Sequence, residues 1–124
     1  MNKTTKLTLA ELMRRKEQIV NAKKTKKTAD LHINSLDAVI TVEEPSGALC
    51  RDVQGMEAGE GDKYMCYECI VEPNLKDAEL QEQFGCANPM DIVDVIFAPG
   101  EIPQIAVECL KLAGYIDGVK AVKN

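Results

Sequence analysis

The pair of thiols in Cys66-Tyr67-Glu68-Cys69 is the first place to look for chemistry, because a CxxC can form a redox couple or supply half of a zinc site. No second CxxC accompanies it, its neighbours are bulky instead of turn-forming, and the single histidine, His32, is far away in sequence. Residues three apart on a helix share a face, so a core position explains the same spacing. All five cysteines, Cys50, Cys66, Cys69, Cys86 and Cys109, are irregularly spaced and odd in number. They read as reduced thiols serving as small hydrophobes.

The remaining candidates for catalysis are weaker. Gly55, Gly59 and Gly61 resemble a phosphate cradle only superficially, since no Lys-Ser or Lys-Thr follows and Glu57, Glu60 and Asp62 repel phosphate. The segment Gly55 to Gly61 reads as a flexible acidic loop. Asp91 and Asp94 stand i,i+3 on one helix, where a paired acid and base is possible by spacing, but solvated acids are the ordinary content of an exposed face. His32 has an intrinsic pKa suited to proton transfer, yet no nucleophile system adjoins it. The sequence therefore predicts no catalytic residue, no metal ligand and no cofactor.

Charge divides the chain into two unlike parts. Residues 1–28 hold nine basic and two acidic side chains, a net +7, and the remainder holds six basic and eighteen acidic, a net −12. Lys23, Lys24, Lys26 and Lys27, with Arg14 and Arg15, have the charge to neutralise phosphates, which makes a small DNA-binding regulator the alternative reading. No aromatic interleaves with the cluster to stack bases, and the acidic remainder repels a polyanion, so no nucleic acid is expected as a partner. A basic amphipathic helix can also touch a membrane surface, but packing on the neighbouring hairpin explains its apolar residues equally well.

The elements that must position these residues are punctuated clearly. Thr8 and Glu11 have capping-box spacing, and Leu9, Leu12, Met13, Lys16, Ile19 and Val20 form a stripe, predicting a helix from Leu9 to about Val20 and then an aperiodic solvated arm over 21–28. Leu31 to Ile33 and Val39 to Val42 flank the turn-forming Asn34 to Asp37 and predict a hairpin. Glu44-Pro45-Ser46 opens a helix that ends before Gly55. Asp62 is expected to cap a helix with Met65, Cys66, Cys69 and Ile70 on one face, broken by Pro73-Asn74, although Tyr67, Ile70 and Val71 also tolerate a strand. Short helices follow over Asp77 to Phe84, stopped by Gly85, and over Met90 to Phe97, started by Asn88-Pro89. Ile102, Ile105, Ala106, Cys109, Leu110 and Ala113 mark the firmest helix, closed by Gly114. Residues 117–124 are expected to fray.

At 124 residues, 45% of them apolar and 4% aromatic, the chain suits one domain with an aliphatic core. The division expected is a basic arm over 1–28, a globular body over 29–115 and a tail over 116–124. No apolar run is long enough to cross a bilayer, and Met1 to Lys6 has no stretch like a secretory signal. The fold class expected is α+β: a small antiparallel hairpin or sheet packed against several short helices, with a helical C-terminal half.

Against that background, the run Tyr67-Glu68-Cys69-Ile70-Val71-Glu72-Pro73-Asn74-Leu75-Lys76-Asp77-Ala78-Glu79-Leu80-Gln81 stands out. It is followed by Asp91-Ile92-Val93-Asp94, Phe97-Ala98-Pro99-Gly100-Glu101-Ile102 and Leu112-Ala113-Gly114-Tyr115. This succession resembles the XkdN-like family of phage tail assembly chaperones, and the segments Ile40 to Ser46 and Glu11 to Gln18 are similar as well. The resemblance implies a non-enzymatic protein of a phage or prophage, acting in the bacterial host cytoplasm. It would bind the tape measure protein, with the tail tube protein as a further client, and no membrane. Related chaperones are often extended by a translational frameshift, and Val122-Lys123-Asn124 is compatible with the slippery codons GTA AAA AAC. The apolar residues expected to face a long helical client are Leu9, Met13, Met90, Val93, Phe97 and Ile105.

Overall fold

The computed structural model describes residues 5–122, so Lys123 and Asn124 of the frameshift reading lie outside the described residues. Ten elements follow in order: α1 (Leu9–Arg14), α2 (Lys16–Lys24), β1 (Thr28–Ile33), β2 (Ala38–Glu43), α3 (Gly47–Gln54), α4 (Ala58–Cys69), β3 (Ile70–Glu72), α5 (Ala78–Gln83), α6 (Asp91–Ile96) and α7 (Glu101–Leu112). The class is α+β, as the alternation of short β-rich and helical segments predicts.

The three strands form one antiparallel sheet in the order β1-β2-β3. Its hairpin lies where Asn34 to Asp37 requires it, and Asp37 takes the left-handed conformation (φ 46°) that an Asp tolerates in a turn. Alternation assigns the faces. Ile33, Ile40, Val42 and Ile70 point into the core, while Thr28, Asp30, His32 and Val39 stay exposed. On the inner face, α4 and α7 pack together, with α3 and α6 flanking α4. Val42, Met65, Leu75, Ile92 and Val93 are among the fully buried side chains.

Most helix boundaries fall within a residue or two of the sequence signals. The Ser46 hydroxyl accepts the Leu49 N–H at 3.1 Å, and the Asp77 carboxylate accepts the Leu80 N–H at 2.9 Å. Gly85 (φ 68°) and Gly114 (φ 85°) supply the left-handed turns that close α5 and α7. The start of α6 differs in detail. Asn88 contributes no side-chain cap; instead its N–H donates to Asp91 Oδ2 at 3.3 Å.

Three expectations are corrected. Ile70 does not continue the helical face of Met65, Cys66 and Cys69 but begins β3 opposite Val42, the strand that β-branched Ile70 and Val71 tolerate. The N-terminal helix does not stop at Val20 but runs on as α2 to Lys24, interrupted at Arg15, whose backbone leaves the helical region (φ −88°, ψ 5°) while its N–H still donates to the Glu11 carbonyl at 3.1 Å. Lys, Gln and Ala are good helix formers, so the Lys-rich stretch propagates the helix without needing an apolar period. The glycine-rich segment is a loop only over 55–57. α4 begins at Ala58, with Asp62 inside it, and Gly61 is buried against α3, where a Cβ would lie 3.0 Å from Val53 Cγ1. Glycine there permits close helix approach, and that packing outweighs its poor helix propensity.

Candidate partner-binding surface

The thiols lie in the core. Cys66 donates to the Ile102 carbonyl at 3.4 Å and Cys69 to Met65 Sδ at 3.6 Å, so the i,i+3 face that carries them is the face α4 turns toward α7. Burial, with the nearby Asp62 carboxylate, pushes the Cys66 thiol up to about 12. Contact with Cys69 and burial push Cys109 up as well. The same contact draws Cys69 down against the opposing effect of burial, so Cys109 is the donor of the pair and Cys66 and Cys109 are the thiols held protonated. Protonated, dry thiols are poor nucleophiles and poor metal ligands, which matches their reading as small hydrophobes. Among the described residues, no group of three or more His, Cys, Asp or Glu side chains is arranged to hold a metal ion.

Asp91 and Asp94 are not simply solvated. Both grip Lys63 of α4, at 3.2 and 2.7 Å, and the Lys63 side chain is only 12% exposed. The Asp94 carboxylate, followed by Asp91, raises the Lys63 pKa against the opposing effect of burial. The pair therefore fastens α6 to α4. His32 is held by Asn34 Oδ1 at 3.0 Å and Asp37 Oδ1 at 2.9 Å, bracing the hairpin turn. From the other side, Glu101 accepts the Ala98 N–H at 2.9 Å and the Ser35 N–H at 3.0 Å, which holds its carboxyl below the usual range. That contact ties the β1–β2 turn to the start of α7.

The six residues expected to face a client separate sharply. Val93, Phe97 and Ile105 are core side chains, buried beneath α6 and α7, and Met90 is half-buried at the start of α6. Periodicity marks an apolar face without saying whether the fold itself covers it, and here it does. Leu9 and Met13 have the opposite fate, at 72% and 68% exposed. Neither α1 nor α2 contains a buried residue, and the stripe does not pack on the hairpin. Leu12, Met13, Lys16, Ile19 and Val20 instead line a shallow apolar groove along one side of the arm.

Local bonds hold this arm helical without tertiary support. The Thr8 hydroxyl accepts the Glu11 N–H at 3.2 Å, the first half of a capping box. The Glu11 side chain then turns forward to Arg14 and Arg15 instead of back to Thr8, and the two guanidinium groups hold its carboxyl down at about 2. At its base, the arm is tied to the body where the Lys27 N–H donates to Glu44 Oε1 at 2.9 Å and Glu44 N–H donates to the Lys27 carbonyl at 2.8 Å. The result is a basic amphipathic helix projecting from an acidic body.

The family model described as phage XkdN-like tail assembly chaperone protein matches residues 3–123 of the 124. The chain belongs to that family. No curated protein and no solved structure matches it. Membership in a chaperone family points to a tail-assembly role, and the match spans the projecting arm as well as the body. No helix among the described residues is long and apolar enough to cross a membrane.

Proposed function

We propose that this tail assembly chaperone acts without catalysis, in the bacterial host cytoplasm, by binding the tape measure protein during tail morphogenesis, with the tail tube protein as a second client. The arm over 1–28 supplies the contact, the body over 29–115 supplies the fold and its negative charge, and 116–124 is a tail. The observation that carries the reading is the unpartnered stripe Leu9, Leu12, Met13, Ile19 and Val20 on a helix that buries nothing.

Such a stripe suits a long helical client, which offers an apolar seam of matching period. Fully burying a Leu, Ile or Met is worth about 1.5–3 kcal/mol, and these side chains are already partly covered. Their combined gain is offset in large part by about 4–15 kcal/mol of lost freedom on association. The contact is therefore weak enough to release the client as the tail polymerises, while the acidic body keeps the complex soluble.

Co-expression of the tape measure protein with the chaperone, followed by affinity capture, tests this. The double substitution Met13→Asp with Ile19→Asp alters only exposed positions, so thermal unfolding should be unchanged while soluble client is lost. Undiminished client capture by that variant would sink the assignment. Phe97→Asp is no substitute, because a carboxylate in the core unfolds the body and reports nothing about the surface.

A further inference from the structure

The two edges of the sheet are treated differently. β3 is three residues long, joined to β2 through a register shift at Thr41/Val42, and followed at once by Pro73, all of which discourage further pairing. β1 is six residues long and in unbroken register with β2, and it contains neither lysine nor proline. The bond from the Glu44 N–H to the Lys27 carbonyl sets the phase of the ladder. Ala29, Leu31 and Ile33 exchange backbone bonds with β2, so the N–H and C=O groups of Thr28, Asp30 and His32 point away from the sheet. None of these groups has a backbone partner among the described residues.

A groove of about 340 Å³ runs beside this edge, between β1 and α7. Leu31 and Ile105 contribute apolar walls, and Asp30, Glu101 and Glu108 are the charged lining residues. Among the described residues Asp30 accepts only the Thr41 hydroxyl, Glu101 accepts only uncharged donors from Ser35 and Ala98, and Glu108 pairs with Lys111 at 3.1 Å. We propose that the β1 edge is a second docking site, which takes an extended cationic segment of a partner protein by strand addition, independently of the arm. Alternate residues of that segment would face Leu31 and Ile105 on the inner side, and the intervening lysines or arginines would meet Asp30 on the outer face, while Glu101 and Glu108 add to the negative field that draws the segment in. Charge selects against a second copy of this chain, since antiparallel β1–β1 pairing brings the Asp30 carboxylates of the two copies together.

The probe is a capped six-residue peptide of alternating lysine and valine, added to the full chain and followed by amide hydrogen exchange. The peptide should slow exchange at Thr28, Asp30 and His32 by about tenfold or more, leaving Leu31 and Ile33, already in the ladder, unaltered. A glutamate-for-lysine peptide should give no protection, and neither should the lysine peptide methylated at every backbone nitrogen, which keeps the charge but loses the strand's donors. Asp30→Pro should abolish protection at Thr28 and His32, because the N–H it removes faces the open edge and not β2. Absence of protection would overturn the proposal, as would equal protection by the N-methylated peptide. Protection that rises with protein concentration in the absence of peptide would overturn it too, by showing that copies pair with each other.

Discussion

Replacing Gly61 with alanine sets two effects of opposite sign against each other. Alanine in a helix interior is favoured over glycine by about 1 kcal/mol. At Gly61, however, the new Cβ would lie 3.0 Å from Val53 Cγ1 and 3.1 Å from the Val53 carbonyl oxygen. The valine side chain can give by rotating, but the carbonyl belongs to the backbone of α3 and moves only if the helix does. Overpacking of that kind costs about 1–3 kcal/mol. The net expectation is a loss of about 1 kcal/mol, or about 3–5 °C in Tm for a domain of this size. Gly59 provides an internal control two residues earlier in the same helix, because a Cβ there meets nothing within 4 Å. Gly59→Ala should therefore raise Tm while Gly61→Ala lowers it, in thermal unfolding followed by circular dichroism. Adding Val53→Ala should recover only part of the Gly61→Ala loss in a double-mutant cycle, since it removes the methyl contact and leaves the carbonyl. If Gly61→Ala stabilises the protein as Gly59→Ala does, α3 does not press on α4 at this point and the close-approach argument is wrong.

Lys63→Ala removes a cation shared by Asp91 and Asp94, and with those carboxylates partly exposed the expected cost is about 1–2 kcal/mol by urea unfolding; an unchanged midpoint would show the contact to be idle. Because the folded pKa of Lys63 is raised above its ordinary 10.5, this contribution is complete below that pH and is lost as pH climbs through the folded value, so the gap between wild type and variant should close in strong alkali. Titration with a thiol-specific chromophore should label half-buried Cys86 in the native protein and the buried Cys50, Cys66, Cys69 and Cys109 only on unfolding, whereas rapid native labelling of two or more thiols would contradict the packing around α4 and α7.

Local signals in the sequence were read best where one residue type satisfies one backbone need. Ser46, Asp77, Gly85 and Gly114 sit where caps and left-handed turns are required, and the helices they bound follow the sequence closely. The glycine-rich segment was misread because glycine serves two purposes. It permits a loop, and it permits two helices to touch, and only the position of Val53 in space decides between them at Gly61. The contact of Asp91 and Asp94 with Lys63 is illegible in the sequence for a related reason: Lys63 is close in space but 28 residues from Asp91 in sequence, beyond the reach of any local pattern. The candidate site divides along the same line. Val93, Phe97 and Ile105 have the apolar period of an interface and of a core alike, and the fold spends them on the core.

The arm turns that ambiguity the other way. Its stripe repeats with the same helical period as the buried face of α7, and sequence alone explains it equally well by packing on the hairpin. The hairpin does not take it. Its inner face, carrying Ile33, Ile40 and Val42, is already covered by helices of the body, and its outer face, with Thr28, Asp30 and His32 beside the exposed Val39, is left uncovered by the arm. Within the described chain, then, the body has a buried core while leaving Val39, Phe84 and Val95 about half exposed, and the arm buries no residue at all. The Thr8 cap and the Glu11–Arg14–Arg15 contacts favour the helix locally, so part of the order its stripe needs is in place before a partner arrives. Preorganisation of this kind lowers the cost of binding without adding a contact, which is what a chaperone that must both hold and release its client requires.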